Sequence, residues 1–426
     1  MNTNGQEKKT EEETQPVTMT ERVSAYLIAL MILCFSIAFF LTKKQDFSES
    51  ENRTLAKLPQ ITWEKIRNGS VTEALGTYAA DHFPMRNEFL SIITEAERLS
   101  GRKEINGVYL AQDGSLIEVY DAPQNTDKQI AQFSKLAENT EHAHCSLMLV
   151  PTAVSVYRDA LPQYAPDADA LLRSDRQTLV AEQGAARPTQ LQTIQQIYAA
   201  MPEKMQTIDV YGALRADVQW TAEAMGGAED GQGVPPSRRL FYRTDHHWTV
   251  YGAYIGYQAW CEARGITPLP LTDYVTETVS EDFRGTIYSK LNDPYFGADT
   301  IISCRHPDWR LQVLYPDTGE VTDSPYNPEY LTQKDQYSYF LNNIHPMVII
   351  TNDAVESGAV AVVKDSYANC FVPFLLNHYH TVYVFDTRYY KGGPSKFINE
   401  HPEITEVLVL YNMNTIDSDT GIGGIY

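Results

Sequence analysis

The chain has 426 residues, with 34 Lys+Arg against 55 Asp+Glu and a formal net charge of −21, a balance that repels phosphate backbones and argues against nucleic acid as a partner. Its five cysteines, Cys34, Cys145, Cys261, Cys304 and Cys370, show neither C-x-x-C spacing nor a dense framework, which argues against a zinc ribbon or a disulfide-stapled scaffold and leaves them as buried hydrophobes. The length allows two or three domains, and the 27 tyrosines suit an aromatic core better than a carbohydrate surface.

Residues 1–22 are polar and read as a disordered tail. Val23 to Leu41 is an uncharged apolar run long enough to cross a bilayer as one helix. It is longer than the apolar core of a signal peptide, and no small-x-small cleavage site precedes Lys43-Lys44, so it reads as an uncleaved transmembrane anchor. Lys8, Lys9 and Arg22 on one side balance Lys43, Lys44, Arg53 and Lys57 on the other, so charge leaves its orientation open.

Residues 42–100 read as a helical connector. Helical periodicity covers Val71 to Ala80 and Arg86 to Ser100, broken at His82-Phe83-Pro84 and ended by Gly101. The remainder, 101–426, reads as one catalytic domain. Asn106 to Val119 alternates about Gln112-Asp113-Gly114 as a hairpin. A helix over Asp127 to Glu138 and a strand over Ser146 to Val150 begin an α/β alternation. Pro166 to Gln190 reads as helix and loop, Ile194 to Met201 as a helix and Thr207 to Val210 as a strand. Glu223 to Ser237 is a glycine-rich loop, Val250 to Arg264 a helix stopped by Gly265, and about 272–343 an insertion of irregular β structure.

The chemistry centres on Leu240-Phe241-Tyr242-Arg243-Thr244-Asp245-His246-His247-Trp248-Thr249. In an extended segment Asp245 and His247 project to one side and His246 to the other. A carboxylate holding one imidazole nitrogen leaves the second free as a general base or metal ligand. The same residues also read as a buried polar cluster or helix cap. A nucleophile is lacking locally.

It is found in the last eighty residues. Apolar runs at Met347 to Thr351, Ala359 to Lys364, Val382 to Phe385 and Val407 to Tyr411 alternate with helical stretches at Ser366 to Leu376 and Pro394 to Asn399. That alternation predicts a parallel sheet wrapped by helices, whose sites form at the strands' carboxyl ends. There stand Asp365-Ser366, Asp386-Thr387-Arg388 and Asn412-Met413-Asn414. Ser366 is placed as a nucleophilic serine, although an Asp-Ser pair opening a helix is also a cap. Asp365, Arg388 and Asn412 are the candidates for binding substrate or an oxyanion, and the alternatives for Arg388 and Asn412 are an ion pair and a strand terminus.

Tyr242 to Thr249, followed far downstream by Val363-Lys364-Asp365-Ser366, resembles the DHHW family and, more broadly, the alginate O-acetyltransferase-like branch of the SGNH hydrolases. Supporting matches are Glu51-Asn52-Arg53 with Leu58-Pro59, Asp81-His82-Phe83-Pro84-Met85-Arg86, and Val150-Pro151 leading to Leu161-Pro162; the likeness spans roughly residues 50 to 415. The resemblance implies an SGNH-like three-layer α/β fold with a parallel sheet and helices on both faces. It also implies a Ser366, His247, Asp245 triad, without a metal or cofactor, that moves an acetyl group to or from a cell-wall or secreted polysaccharide. A membrane-bound O-acyltransferase would supply the acyl groups, and the domain would lie outside the cytoplasmic membrane. Two rival readings are a metal-dependent hydrolase using Asp245, His246 and His247, and a non-catalytic glycan-binding or assembly protein.

Overall fold

In a computed structural model of the chain the described residues are 18–48, 53–163, 165, 188–225, 234–291, 293 and 296–426. Residues 1–17 of the expected tail, most of Pro166 to Gln190, the centre of the glycine-rich loop, and Glu51 and Asn52 lie outside them.

The chain divides into two units, residues 1–48 with 53–89, and residues 49–52 with 90–426. In the first, a helix over Met19–Leu41 is long and apolar enough to cross a membrane and has no buried residue; Cys34 on it is exposed. It starts four residues earlier than the apolar run, because Thr18 and Glu21 close a capping box ahead of it. Helices over Trp63–Arg67 and Ser70–Asp81 follow. Asp81 accepts a hydrogen bond from the Ala56 amide (2.8 Å) and the His82 ring meets the Ala56 carbonyl (2.9 Å), so this part of the Asp81-to-Arg86 motif clamps the connector.

The second unit is built on an eight-stranded sheet. In chain order its strands are β1 (His144–Val150), β2 (Met205–Thr207), β3 (Leu311–Tyr315), β4 (Glu320–Thr322), β5 (Met347–Asn352), β6 (Ala359–Lys364), β7 (Thr381–Phe385) and β8 (Ile404–Asn412). Their spatial order is β4-β3-β5-β7-β6-β8-β1-β2. β7, β6, β8, β1 and β2 run parallel. β5 is antiparallel to β7, which departs from the all-parallel expectation. The six residues between β5 and β6 are too few for the crossover that a parallel step requires.

Side chains alternate between the faces as the pleat dictates. Val360, Val362, Leu408 and Leu410 join Trp248, Tyr257, Trp260 and Phe371 on one face. Ala361, Val363, Val407 and Val409 join Phe133, Ile197 and Ile398 on the other. The result is the expected three-layer α/β arrangement. Cys145, Cys261, Cys304 and Cys370 are buried, unpaired members of this interior.

Two helices differ from expectation. Val210, expected to end a strand, instead opens a helix over Val210–Met225, because the Asp209 carboxylate accepts from the Gly212 amide and caps it. Ser366 to Leu376 is a 3₁₀ turn over Ser366–Cys370 followed by a short helix over Val372–Leu375. The expected insertion is more integral than its irregular pattern suggests: β3 and β4 extend the central sheet, and Val275–Phe283 pairs with Asp299–Arg305 beside them.

Leu408, fully buried in β8, tests this core. Leu408→Ala is expected to cost about 2–5 kcal/mol in urea unfolding with an unchanged m-value. A loss below about 0.5 kcal/mol would be that of a surface site.

Candidate active site

The Leu240–Thr249 segment folds back on itself. Phe241 bridges Trp248, the Tyr242 amide bonds the His247 carbonyl, and the Thr249 amide bonds the Leu240 carbonyl. Residues 243–247 therefore bend instead of running extended. The expected opposition of His246 to its neighbours fails for this reason: its ring lies 3.9 Å from that of His247, centroid to centroid, and its Nδ1 is 3.8 Å from Asp245 Oδ2. Thr249, at the end of the segment, caps the helix over Val250–Arg264.

Within the bend, Asp245 Oδ1 accepts from the His247 amide (3.0 Å) and meets His247 Nδ1 at 2.5 Å. Its Oδ2 accepts from the Thr286 amide (2.8 Å) and hydroxyl (3.1 Å). His247 Nε2 lies 2.7 Å from Ser366 Oγ. With the Nδ1 proton directed to the carboxylate, Nε2 accepts from the serine hydroxyl. Asp245, His247 and Ser366, separated by up to 121 positions in sequence, thus form one continuous hydrogen-bonded line.

Ser366 follows β6, a central strand of the sheet, at its carboxyl end. Asp365 fixes the turn. Its Oδ1 accepts from the Tyr367 amide, and its Oδ2 accepts from the Asn412 amide, the Asn412 side chain and the Thr415 hydroxyl. Both amide protons of Asn412 are engaged, by Asp365 (2.7 Å) and Thr415 (3.0 Å). Arg388 grips Asp386 through Nε (2.9 Å) and Nη2 (2.5 Å), with Lys364 Nζ 3.8 Å from the same carboxylate. The side-chain bonds of Asp365, Arg388 and Asn412 therefore brace the ends of β6, β7 and β8, and none is directed at Ser366 Oγ.

Sequence reasoning missed several residues that complete the arrangement. Tyr337 lies flat on His247, centroids 3.6 Å apart and planes at 11°, and its hydroxyl donates to the Ser366 carbonyl. The Trp248 indole donates to the Tyr367 carbonyl (2.7 Å), while the Tyr367 hydroxyl donates to the His246 carbonyl. Thr286 and Tyr337 both come from the expected insertion, where no local pattern marked them. Asn369, one 3₁₀ turn beyond Ser366 and 5% exposed, has a buried Oδ1 with no hydrogen-bond partner. The D-S-x-x-N spacing was its only sequence signal.

Burial alone would raise the Asp245 carboxyl. The neighbouring imidazoles and the bonds from His247 and Thr286 outweigh it and hold the group well below the usual carboxylate range. Burial pushes His247 down to about 4, with His246 adding to the effect and Asp245 only partly opposing it. At neutral pH the resting pair is therefore a carboxylate and a neutral imidazole, the state in which Nε2 can take a proton.

The ligand atoms of Asp245, His246 and His247 lie within 4.8 Å of one another, a spacing compatible with a cation. The bonds above already occupy both Asp245 oxygens and both His247 nitrogens, and His246 Nδ1 meets the Thr286 hydroxyl at 2.6 Å. A metal would have to displace these bonds. The donor set fits a hydrogen-bonded relay better.

The three-layer α/β fold with its mostly parallel central sheet is one shared with solved structures. The family described as DHHW protein matches residues 236–385, a stretch that holds Asp245, His247 and Ser366 and supports the likeness read from the sequence. The fold is similar to a DHHW family protein from Eubacterium siraeum, with TM-score 0.56, 22% identity, and 75% of this chain and 95% of that one covered. It is also similar to PatB1 of Bacillus cereus bearing a sulfonyl adduct, with TM-score 0.53, 15% identity, and 75% and 98% covered. A weaker likeness, to the O-acetyltransferase domain of Pseudomonas putida AlgJ, has TM-score 0.38, 16% identity, and 73% and 92% covered, too low to carry an argument. No curated protein matches the sequence.

Gly285 supplies a test of the relay. A Cβ there would stand 2.2 Å from Asp245 Cβ and Oδ2, too close for any side chain. Gly285→Ala is expected to displace Asp245 and abolish the far-downfield proton resonance of His247 Nδ1–H. Gly423→Ala, at an open position, should keep it, and persistence of the signal in Gly285→Ala would contradict the contact.

Proposed function

We propose that the protein is a membrane-anchored, extracytoplasmic O-acyltransferase or esterase that acts on a cell-wall or secreted polysaccharide through Ser366, His247 and Asp245. The observation that carries this reading is the unbroken line from Asp245 Oδ1 through His247 to Ser366 Oγ, at 2.5 and 2.7 Å. His247 Nε2 takes the hydroxyl proton as Ser366 Oγ attacks the acyl carbonyl. The acyl–oxygen bond to the donor breaks, and the departing oxygen receives that proton from His247. Asp245 steadies the imidazolium formed between these steps. A glycan hydroxyl, or water, then gives its proton to His247 and attacks the acyl-serine; as the acyl–Oγ bond breaks, His247 returns that proton to Ser366 Oγ.

The amide N–H of Ser366 and the side-chain N–H of Asn369, three residues further along the same 3₁₀ turn, are the proposed oxyanion donors. The sulfonyl adduct carried by Bacillus cereus PatB1 is in keeping with this reading, because sulfonyl reagents modify activated hydroxyls. The resemblance to the DHHW and alginate O-acetyltransferase-like proteins favours a glycan acceptor, with a membrane-bound O-acyltransferase supplying acyl groups. The apolar Met19–Leu41 helix serves as the single-pass anchor.

The reading is tested by p-nitrophenyl acetate turnover. Ser366→Ala and His247→Ala are each expected to lose about 10⁴ to 10⁶ in kcat, and Asn369→Ala about 10² to 10³. Full turnover by folded Ser366→Ala would contradict the serine's role, and no turnover by the folded wild-type protein would favour the non-catalytic glycan-binding role instead.

The low His247 value sets the pH dependence. The base must be unprotonated in the free enzyme, so kcat/KM should rise with pH through about 4 and be level by neutrality. A limb centred near the ordinary histidine value of 6.5 would contradict the buried environment.

A further inference from the structure

Within the first unit, the Met19–Leu41 helix and the connector after it form an apolar cluster. Phe83 stacks on Phe35 of the Met19–Leu41 helix, with centroids 5.3 Å apart and planes at 22°. Phe89 packs on the same ring at 5.7 Å, and Tyr78 meets Phe39 edge-on. Phe35 stands six residues before the end of the helix, which places it about 9 Å below that end at the usual helical rise. A helix that spans the bilayer carries Phe35 into the hydrocarbon, and the rings touching Phe35 lie at the same depth.

The Phe83-Pro84-Met85 turn also has an unusual backbone. Met85 has a φ of +58°, in the left-handed region that glycine and asparagine prefer. Its side chain is 61% exposed, beside the 41% exposed Phe83. In water that exposure is unfavourable, and a turn tip carrying large apolar side chains suits an apolar medium. Exposed Ile61, Trp63 and Ile66 lie upstream in the same unit, and a tryptophan here matches the aromatic belt of membrane interfaces. Charge is also permissive. Residues 53–89 carry five Lys/Arg against four Asp/Glu in a chain of net charge −21, so this segment can approach anionic lipid.

We infer that the Phe83-Pro84-Met85 turn inserts into the bilayer beside the anchor helix, as a second membrane contact that holds the connector against the lipid surface. The inference rests on the anchored reading of Met19–Leu41. The ligand is the lipid acyl–headgroup boundary.

The test uses the full chain in vesicles of phosphatidylcholine and phosphatidylglycerol at three to one. Met85→Trp is introduced into a Trp63→Phe background and compared with that background alone. The added tryptophan is expected to emit at shorter wavelength and to be quenched by lipids brominated near the headgroup end of the acyl chain. Quenching by aqueous iodide with none by bromolipid, in protein that stays with the vesicles after alkaline washing, would overturn the inference while leaving the anchor intact. Mature protein that begins after Leu41 and washes off would remove the anchor itself, and the inference with it.

Discussion

The paired contacts between the Asp245–Trp248 bend and the Tyr367 turn are the constraint on which the second unit's geometry depends. Trp248 is fully buried, stacks on Phe371, and spends its one donor on the Tyr367 carbonyl. The Tyr367 hydroxyl returns a bond to the His246 carbonyl. A residue before Trp248 and a residue before Tyr367 are thereby held in register, and those residues are His247 and Ser366. In a close-packed interior a bond of this kind resists sub-ångström slippage, which hydrogen transfer between Nε2 and Oγ would not tolerate.

Around that tie, charge is buried only where it is answered. Asp245, 3% exposed, receives four hydrogen bonds, and Asp365, 1% exposed, receives bonds from Tyr367, Asn412 and Thr415. Asp386 is met by Arg388 and Lys364. Removing one partner from such a set leaves an uncompensated charge, which is costlier than the bond itself. The buried carboxylates therefore divide into two sets: Asp245 faces the imidazole, while Asp365 and Asp386 keep the strand ends in place. Asn369 stands outside both, a polar group with a buried, unanswered oxygen in the 3₁₀ turn that Ser366 opens.

Much of this was legible in sequence, for physical reasons that apply to particular residues. The β6, β7 and β8 strands are continuous apolar runs because both faces are buried, and Ser366 was found by the rule that sites lie at such strands' carboxyl ends. The apolar Met19–Leu41 helix, the Asn106-to-Val119 hairpin and the helix ended by Gly265 each carried a local signal. The direction of β5 was hidden, since an apolar run records burial and not orientation. The position of His246 was misread because period-two alternation holds only for extended backbone, and residues 243–247 bend. Thr286 and Tyr337 were invisible because their contacts to Asp245 and His247 are long-range, inside a stretch whose own pattern is irregular. Arg388 and Asn412 were selected by position alone, and position does not reveal that Asp386 and Asp365 claim their donors.

The central claim is that Ser366 carries the acyl group. Its most direct test is mass spectrometry of the full-length protein quenched in acid within one turnover of an acetyl ester, followed by peptide mapping. One acetyl group on the peptide containing Ser366, absent from Ser366→Ala and from His247→Ala, is the expected result. Folded protein with no adduct at any time point, or an acetyl group on another residue that persists in Ser366→Ala, would contradict it.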